Sequence, residues 1–220
     1  MTELDQRVHH AVLEAIVARA ARDTVALARA TGASVPDVEA SLQRLADAHA
    51  LVLHPGSHDV WVAHPFSCSP TATWVAIGER GWWAPCMWCA FGIETLIDAP
   101  AVIHARIGGE AESVQIVRDS QLLVHFALPP RLAWSNVIHY CSTVLPFPSE
   151  AAIDAWCARH HLPRGAAVPV AQVVTLAERW YGRHRDPAWV KHSTREAQQI
   201  FDEVGLTDPF WQLRATGERF

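Results

Sequence analysis

Two cysteines three positions apart are the residues of this chain with the clearest capacity for chemistry. Cys86 and Cys89 lie in the segment APCMWCAFGI, where Pro85 and the apolar residues after it predict a buried helix over 86–97. Residues three apart share a helix face, and the helix N-terminus stabilises a thiolate. Two soft thiolates on one face suit redox exchange, zinc ligation or capture of a soft metal.

Each of these uses needs different surroundings. A thioredoxin-like pair follows the first strand of a βαβ unit, whereas about 85 residues precede this pair. Structural zinc usually needs four ligands, and the second pair would be His139 and Cys141, which are alternate residues of a predicted strand. A purely structural role is the remaining alternative, because free cysteines are commonly buried as small apolar residues.

The first 65 residues precede the cysteine pair in the sequence, and their pattern predicts three helices and a hairpin. The expected elements are a helix over 3–21, a helix capped by Thr24, a helix capped by Ser34, and strands at 51–53 and 60–62. This order is typical of a winged helix. The segment carries five Arg against eight acidic residues, a net charge of −3, so we expect no binding to nucleic acid.

The remaining residues predict a sheet framed by helices. After a linker-like turn at 65–70, the expected strands are 73–77, 101–106, 113–118, 121–127 and 137–145, and the later helices are 150–160, 169–182 and 194–204. The predicted fold class is therefore α+β. A winged-helix-like unit over 1–65 is followed by a mixed β-sheet core flanked by helices over 66–220.

Composition excludes several classes of protein. The chain has 220 residues, 50% of them hydrophobic, and a net charge of −5, which is typical of a globular protein and not of a basic protein that coats nucleic acid or membranes. There is no apolar run of 18 residues and no signal-peptide pattern at the start, so we expect a cytoplasmic protein without a membrane span. Five cysteines, an odd number, argue against a disulfide scaffold.

Three further segments carry a family resemblance together with the cysteine pair. The chain resembles the alkylmercury (organomercurial) lyases in several parts that follow one another in the same order. These parts are the helix segment 84–93, the segment WSNVIHYCST over 134–143, and the segments around Phe147 and Trp156. The resemblance covers roughly residues 1–182. It implies an α+β fold and protonolytic cleavage of a carbon–mercury bond in a small-molecule substrate, with no cofactor required.

The resemblance also implies roles for single residues. Cys86 corresponds to the helix thiol that attacks mercury, and Cys141 corresponds to the second essential thiol, expected on a strand. Cys89 stands where the family has its catalytic Asp, so it is expected to move the proton or to act as a third ligand of a soft metal such as Hg, Cu or Zn. His139 and Glu94 are further candidates for proton donation.

The sequence thus predicts an organomercurial-lyase-like enzyme with Cys86, Cys89 and Cys141 in its site. Three alternatives stay open beside it. The first is a relative that acts on another carbon–heteroatom bond, the second is a non-catalytic protein that binds soft metals on thiolates, and the third is a winged-helix metal sensor. The acid-rich third helix counts against the sensor.

Overall fold

The computed structural model describes residues 1–213, the side chain of Trp134 excepted. The helices are α1 (Glu3–Ala18), α2 (Thr24–Thr31), α3 (Val35–Asp47), α4 (Met87–Ile97), α5 (Val137–Ser142), α6 (Glu150–His160), α7 (Val170–Tyr181) and α8 (Thr194–Glu203). The strands are β1 (Val52–Leu53), β2 (Val60–Ala63), β3 (Phe66–Ser67), β4 (Thr73–Ile77), β5 (Arg80–Ala84), β6 (Val102–Arg106), β7 (Ser113–Ile116), β8 (Leu123–Phe126), β9 (Val144–Phe147) and β10 (Ala166–Pro169).

The strands form two antiparallel sheets. The larger sheet has the order β1-β2-β3-β5-β4-β6-β7, and the smaller one has the order β10-β8-β9. Antiparallel pairing of short, sequence-adjacent strands together with helices before, between and after them is the α+β class. The predicted fold class is confirmed.

Three helices form the N-terminal part of the molecule. Val8, Leu13 and Leu42 are fully buried between α1, α2 and α3. The cap of α3 is Ser34, as predicted, but the side chain that caps α2 belongs to Asp23 and not to Thr24. Asp is as good an N-cap as Ser, and here it lies one residue earlier in the chain.

The hairpin that follows the helices is continuous with the larger sheet. β1 pairs with β2 as predicted, and β2 pairs with β3, which in turn pairs with β5 through Ser67 and Trp83. The prediction of a linker-like turn here was therefore wrong for residues 66–67. The division into units 1–65 and 66–220 stays a prediction, and 214–220 lie outside the described residues.

The apolar stretch from Trp82 to Ile97 contains two elements. Its first residues complete β5, and Cys86 then acts as the N-cap of α4. Nearly every residue of α4 is buried, because β4 and β5 cover one side of this helix and α7 covers another. The close approach of α4 to α7 depends on Gly92, at which a Cβ would lie 2.3 Å from the Tyr181 ring.

The segment expected as a strand over 137–145 is mostly helical. α5 occupies its first part, and only the residues from Val144 onward form a strand, β9. The alternating apolar pattern favours a strand, but Asn136 accepts a hydrogen bond from the backbone N–H of His139 and starts a short helix. The strand prediction is therefore corrected for Cys141, which lies on α5.

The C-terminal third packs mainly through helices. Ser149 caps α6 as predicted, and β10 is a strand that the sequence pattern did not indicate. The turn after α8 docks its aromatic residues, and Trp211 is almost completely buried against Phe126 and Phe201. Among the described residues, no helix is long and apolar enough to cross a bilayer.

Candidate active site

The N-terminus of α4 presents two of the three thiols. Cys86 is the N-cap, and its Sγ accepts a hydrogen bond from the backbone N–H of Cys89 at 3.4 Å. A sulfur in this position replaces the usual Ser, Thr or Asp oxygen of a cap, and it lies where the helix dipole favours a negative charge. The backbone geometry of α4 thus favours a thiolate on Cys86.

The third thiol reaches the same place from α5. Cys141 is buried and lines the same cavity as Cys86 and Cys89, and its Sγ lies within 4.8 Å of the Sγ of Cys89. The structure therefore brings together the three cysteines that the sequence singled out, although Cys141 lies on a helix and not on the expected strand. All three are free thiols with less than a tenth of their surface exposed.

The three thiols differ in their readiness to ionise. Burial alone would raise the pKa of Cys86, but hydrogen bonds from Cys141 and Cys89 and the nearby His64 hold this pKa well below the usual range of a cysteine. The hydrogen bonds that Cys141 makes to the other two cysteines, together with its burial, raise its pKa. Burial and the neighbouring Cys86 raise the pKa of Cys89. Of the three, Cys86 is therefore the thiol that ionises most readily, and Cys89 and Cys141 hold their protons more firmly.

Cys89 has two further polar neighbours. Its Sγ lies 3.3 Å from the Tyr181 hydroxyl and 3.6 Å from Nδ1 of His64. Burial lowers the pKa of His64 from 6.5 to about 4; the Cys86 thiolate opposes this shift and the charge of Lys191 adds to it. His64 is therefore neutral at physiological pH, and one of its ring nitrogens can accept a proton or a metal ion.

A soft metal ion fits this group of side chains. The ligand atoms of His64, Cys89 and Cys141 all lie within 4.8 Å of one another. Sulfur and imidazole nitrogen are the donors that Hg(II), Cu(I) and Zn(II) prefer. The donor set is therefore suited to a soft ion and unsuited to Mg²⁺ or Ca²⁺, which require oxygen ligands.

The thiols line a cavity whose walls are largely aromatic. The residues of its lining with aromatic rings are His49, His64, Trp88, Tyr140, Trp180, Tyr181, His184, Trp189 and Phe201. Trp88 packs edge-on against Trp180, with ring centroids 4.9 Å apart. A groove beneath the β1–β2 hairpin adjoins the cavity, since His49 and Val137 line both. The walls suit an apolar organic group next to the sulfurs.

The two other predicted proton donors do not line this cavity. His139 lies on the exposed side of α5, although it is only two residues from Cys141. Glu94 is buried on α4 but faces a different depression, where its Oε1 accepts a hydrogen bond from the backbone N–H of Ala101. Residues on a helix that are two apart point in different directions, so the change from strand to helix removes His139 from the thiols.

The structure adds site residues that sequence reasoning missed. His64 follows β2, Tyr181 ends α7, and Lys191 lies between α7 and α8, yet all three line the cavity. They are separated by long stretches of sequence, and none stands in a spacing motif with the cysteines. Lys191 is the only lysine of the chain, and this was the one feature of the sequence that could have indicated its importance.

The chain is similar in sequence to one known protein family and in fold to a solved structure. The sequence model of the alkylmercury lyase family, MerB, matches residues 66–182, which is more than half of the chain. Among solved structures, the mercury-bound form of MerB2 has a similar fold, with a TM-score of 0.60 and 17% sequence identity over 85% of this chain and 99% of that one. At this identity the likeness shows a shared fold. No curated protein matches the chain significantly.

Proposed function

The chain belongs to the alkylmercury lyase family, and on this premise we propose that it cleaves the carbon–mercury bond of organomercurial compounds. The observation that carries the proposal is the meeting of three buried thiols, Cys86, Cys89 and Cys141, in one aromatic cavity. Soft sulfur donors bind mercury strongly, and a second sulfur on the metal weakens its bond to carbon.

The charge state of the thiols supports a balanced sequence of steps. The Cys86 thiolate attacks the mercury of R–Hg–X, a sulfur–mercury bond forms, and X leaves as an anion. The Cys141 thiol then binds the same mercury and gives up its proton. That proton ends on the carbon of R, which leaves as R–H while Hg(II) stays bound to two sulfurs. One thiolate and one thiol are consumed, and no oxidant or reductant is needed.

Cys89 occupies the position at which the family resemblance places a carboxylate. We infer that it relays the proton from Cys141 to the leaving carbon, because its Sγ lies within 4.8 Å of the Cys141 Sγ and 3.3 Å from the Tyr181 hydroxyl. A thiol with a raised pKa is a weaker acid than a carboxylic acid, so this step should be slower than it would be with Asp. The same thiol is a better ligand for the Hg(II) product.

A second candidate function follows from the ligand cluster. His64, Cys89 and Cys141 can hold a soft metal ion without any bond cleavage. In that case the protein would bind Hg(II), Cu(I) or Zn(II) stoichiometrically. The two functions share a site but differ in what happens to an organic group on the metal.

One incubation separates the two functions. Reduced protein is mixed with an excess of phenylmercury in the presence of a small thiol that removes Hg(II), and both benzene and protein-bound mercury are measured over time. Benzene in excess over protein supports the lyase. Bound organomercurial without benzene supports the metal-binding protein, and the Cys86→Ser variant is the control for cleavage that does not depend on the site.

A further inference from the structure

Three thiols line the cavity, although the proposed cleavage leaves Hg(II) on only two of them. In that sequence of steps Cys86 and Cys141 hold the metal, and Cys89 handles the proton, a task that a carboxylic acid performs better. What Cys89 provides and a carboxylate could not provide is a third sulfur. The cavity therefore has a set of donors that a ligand with three bonds to sulfur would use in full.

Each of the three cysteines is a neighbour of the other two. The backbone N–H of Cys89 donates a hydrogen bond of 3.4 Å to the Sγ of Cys86, and its own Sγ lies within 4.8 Å of the Sγ of Cys141. Cys86 and Cys141 each shift the pKa of the other, so these two side chains are also close. Because the fold already holds the sulfurs together, little conformational entropy is lost when one central atom binds all of them.

The surroundings of the sulfurs favour a ligand that enters without charge. No more than 5% of the surface of Cys86, Cys89 or Cys141 is exposed, and the walls around them are largely aromatic. Among the lining residues within 1–213 there is no Asp or Glu that could take part of the hydration shell of a hard cation. A charged species pays a large desolvation cost to enter such a space, and a neutral hydroxide pays a much smaller one.

We propose that this cavity is a binding site for trivalent arsenic, which reaches it as the neutral arsenous acid, As(OH)3. Arsenic(III) is a soft centre of the kind that thiolates select, and it forms three single bonds in a pyramidal arrangement. Each thiol forms one arsenic–sulfur bond, and its proton leaves with one hydroxyl group as water. One As(OH)3 and three thiols thus give one As(III) on three sulfurs and three water molecules, with no oxidant or reductant. The proposal goes beyond carbon–mercury cleavage and does not depend on it.

Two arsenicals distinguish a site of three thiols from a site of two. Sodium arsenite supplies As(OH)3 at neutral pH, with three hydroxyl groups that thiols can replace. Phenylarsonous acid, formed from phenylarsine oxide in water, carries a phenyl group in place of one hydroxyl and therefore needs only two thiols. Its ring also suits the aromatic walls. Removal of one cysteine should therefore affect the two compounds differently.

The parent protein for the test carries Cys68→Ser and Cys157→Ser, because these two free thiols lie outside the cavity and would add further sites for arsenicals. Cys86→Ser, Cys89→Ser and Cys141→Ser are introduced into this parent singly, and Cys86→Ser and Cys141→Ser also together. Reduced protein free of small thiols is titrated with each arsenical. Quenching of tryptophan fluorescence gives the affinity, and native mass spectrometry gives the number of arsenic atoms bound per chain.

The parent and wild type should bind one As(OH)3 in the cavity with the same affinity. Each single serine variant should bind As(OH)3 about a hundredfold more weakly, because the third bond in a preformed site is an intramolecular step with a high effective concentration. The same variants keep two thiols, so they should lose much less affinity for phenylarsonous acid. The double variant keeps only Cys89 and should bind neither compound.

A parent protein that forms no one-to-one complex at micromolar arsenite overturns the proposal. So does a Cys89→Ser protein that binds As(OH)3 as tightly as the parent, since arsenic would then use two thiols only. Cys89→Asp repeats this second test, so that a serine variant that fails to fold does not prevent it. Benzene release from phenylmercury is measured on the same wild-type preparation. Arsenic binding without benzene release supports this site and refutes the lyase function, and benzene release without arsenic binding does the reverse.

Discussion

Cys89 is the residue on which the proposed chemistry depends most, because it stands where the family resemblance places a proton-handling carboxylate. Its Sγ contacts the Tyr181 hydroxyl and His64, its backbone N–H donates a hydrogen bond to Cys86 Sγ, and its Sγ lies within 4.8 Å of the Cys141 Sγ. We expect Cys89→Asp to raise the rate of carbon–mercury cleavage and to loosen retention of Hg(II), because a carboxylic acid donates a proton more readily and binds soft metal less well. Turnover of phenylmercury and mercury bound afterwards give the two readouts.

The other two cysteines provide the controls for that substitution. Cys86→Ser and Cys141→Ser should each reduce cleavage by at least about a hundredfold, since two sulfurs are needed to activate the bond and a serine hydroxyl is not a ligand for mercury. An inactive Cys89→Asp beside an active wild type would show that Cys89 is itself a required thiol. The interpretation of Cys89 as a replaced acid would then have to be abandoned.

Sequence reasoning identified the three thiols but not the residues around them. Cys86 and Cys89 form a local pattern on one predicted helix, so their spacing carries information. His64, Tyr181 and Lys191 come from three distant segments, and only the tertiary fold places them in one cavity. No local rule relates such residues. Their burial beside the thiols becomes visible only in the structure.

At the scale of the elements, the contact between α4 and α7 positions the site. Gly92 of α4 faces Tyr181 of α7, and a Cβ at this position would lie 2.3 Å from the tyrosine ring and 2.9 Å from Pro65. We expect Gly92→Ala to destabilise the fold by about 1–3 kcal/mol, the usual cost of overpacking, and to lower turnover by moving the Tyr181 hydroxyl away from Cys89. Urea unfolding and phenylmercury turnover measure the two effects.

A double variant shows whether the tyrosine ring is the cause. Gly92→Ala combined with Tyr181→Leu should recover part of the lost stability, because the smaller side chain makes room, but it should not recover the hydrogen bond to Cys89. Equal stability of wild type and Gly92→Ala would mean that α4 and α7 are not held as closely as the structure shows.

The buried Asp5 of α1 forms an ion pair with the exposed Arg44 of α3, and this pair predicts how stability depends on pH. Burial opposes the ionisation of Asp5, but hydrogen bonds from Arg44, from the Thr2 backbone N–H and from Ser41 lower its pKa from 3.8 to about 2. A carboxyl whose pKa is lowered by folding stabilises the protein above its unfolded pKa, and the stabilisation is lost as the pH falls from about 4 to about 2.

Asp5→Asn should therefore lower the free energy of unfolding by about 2 kcal/mol at neutral pH, and this difference from wild type should shrink below about pH 4. Urea unfolding between about pH 3 and pH 7 measures both proteins. Asp47→Asn is a matched control, because Asp47 is an exposed acid at the end of α3 that accepts a hydrogen bond from the side chain of Gln43 on the same helix. A pH-independent difference for Asp5→Asn would contradict this account.

Sequence patterns predicted some helices well and failed for others. Longer helices with clear starts were predicted well: α6 has the predicted bounds, α3 has the predicted Ser34 cap, and α1 starts as predicted but ends three residues earlier. α5 has only six residues, and its β-branched start resembles a strand. A helix this short owes its conformation to the Asn136 cap and to packing against its surroundings, and packing is not visible in a sequence window.

At the scale of the whole molecule, the charge distribution argues against a role on nucleic acid. Residues 1–65 carry a net charge of −3, and α3, which would be the recognition helix of a winged helix, has Asp37, Glu39 and Asp47 against Arg44. We expect no salt-sensitive binding to duplex DNA in a fluorescence-anisotropy titration. Sub-micromolar affinity that falls steeply with salt would overturn this prediction and favour a metal sensor.

The order of helical and alternating segments along the chain was enough to predict the α+β class. It was not enough to predict that the β1–β2 hairpin joins the larger sheet. β3 has two residues and pairs with β5 at a single position, Ser67 with Trp83. So short a strand has no periodicity to detect. Its effect on the molecule is large, because through it the β1–β2 hairpin becomes part of one sheet with the strand that leads into Cys86.

The central claim is that this thiol cavity breaks a carbon–mercury bond by delivering a proton to carbon. A single-turnover reaction of reduced wild-type protein with substoichiometric phenylmercury in D2O tests it most directly, with the benzene and the protein-bound mercury both quantified by mass spectrometry. The account predicts one monodeuterated benzene and one retained Hg(II) per phenylmercury, and neither product with Cys86→Ser. Phenylmercury that stays intact on the wild-type protein, with no benzene released, would contradict the account.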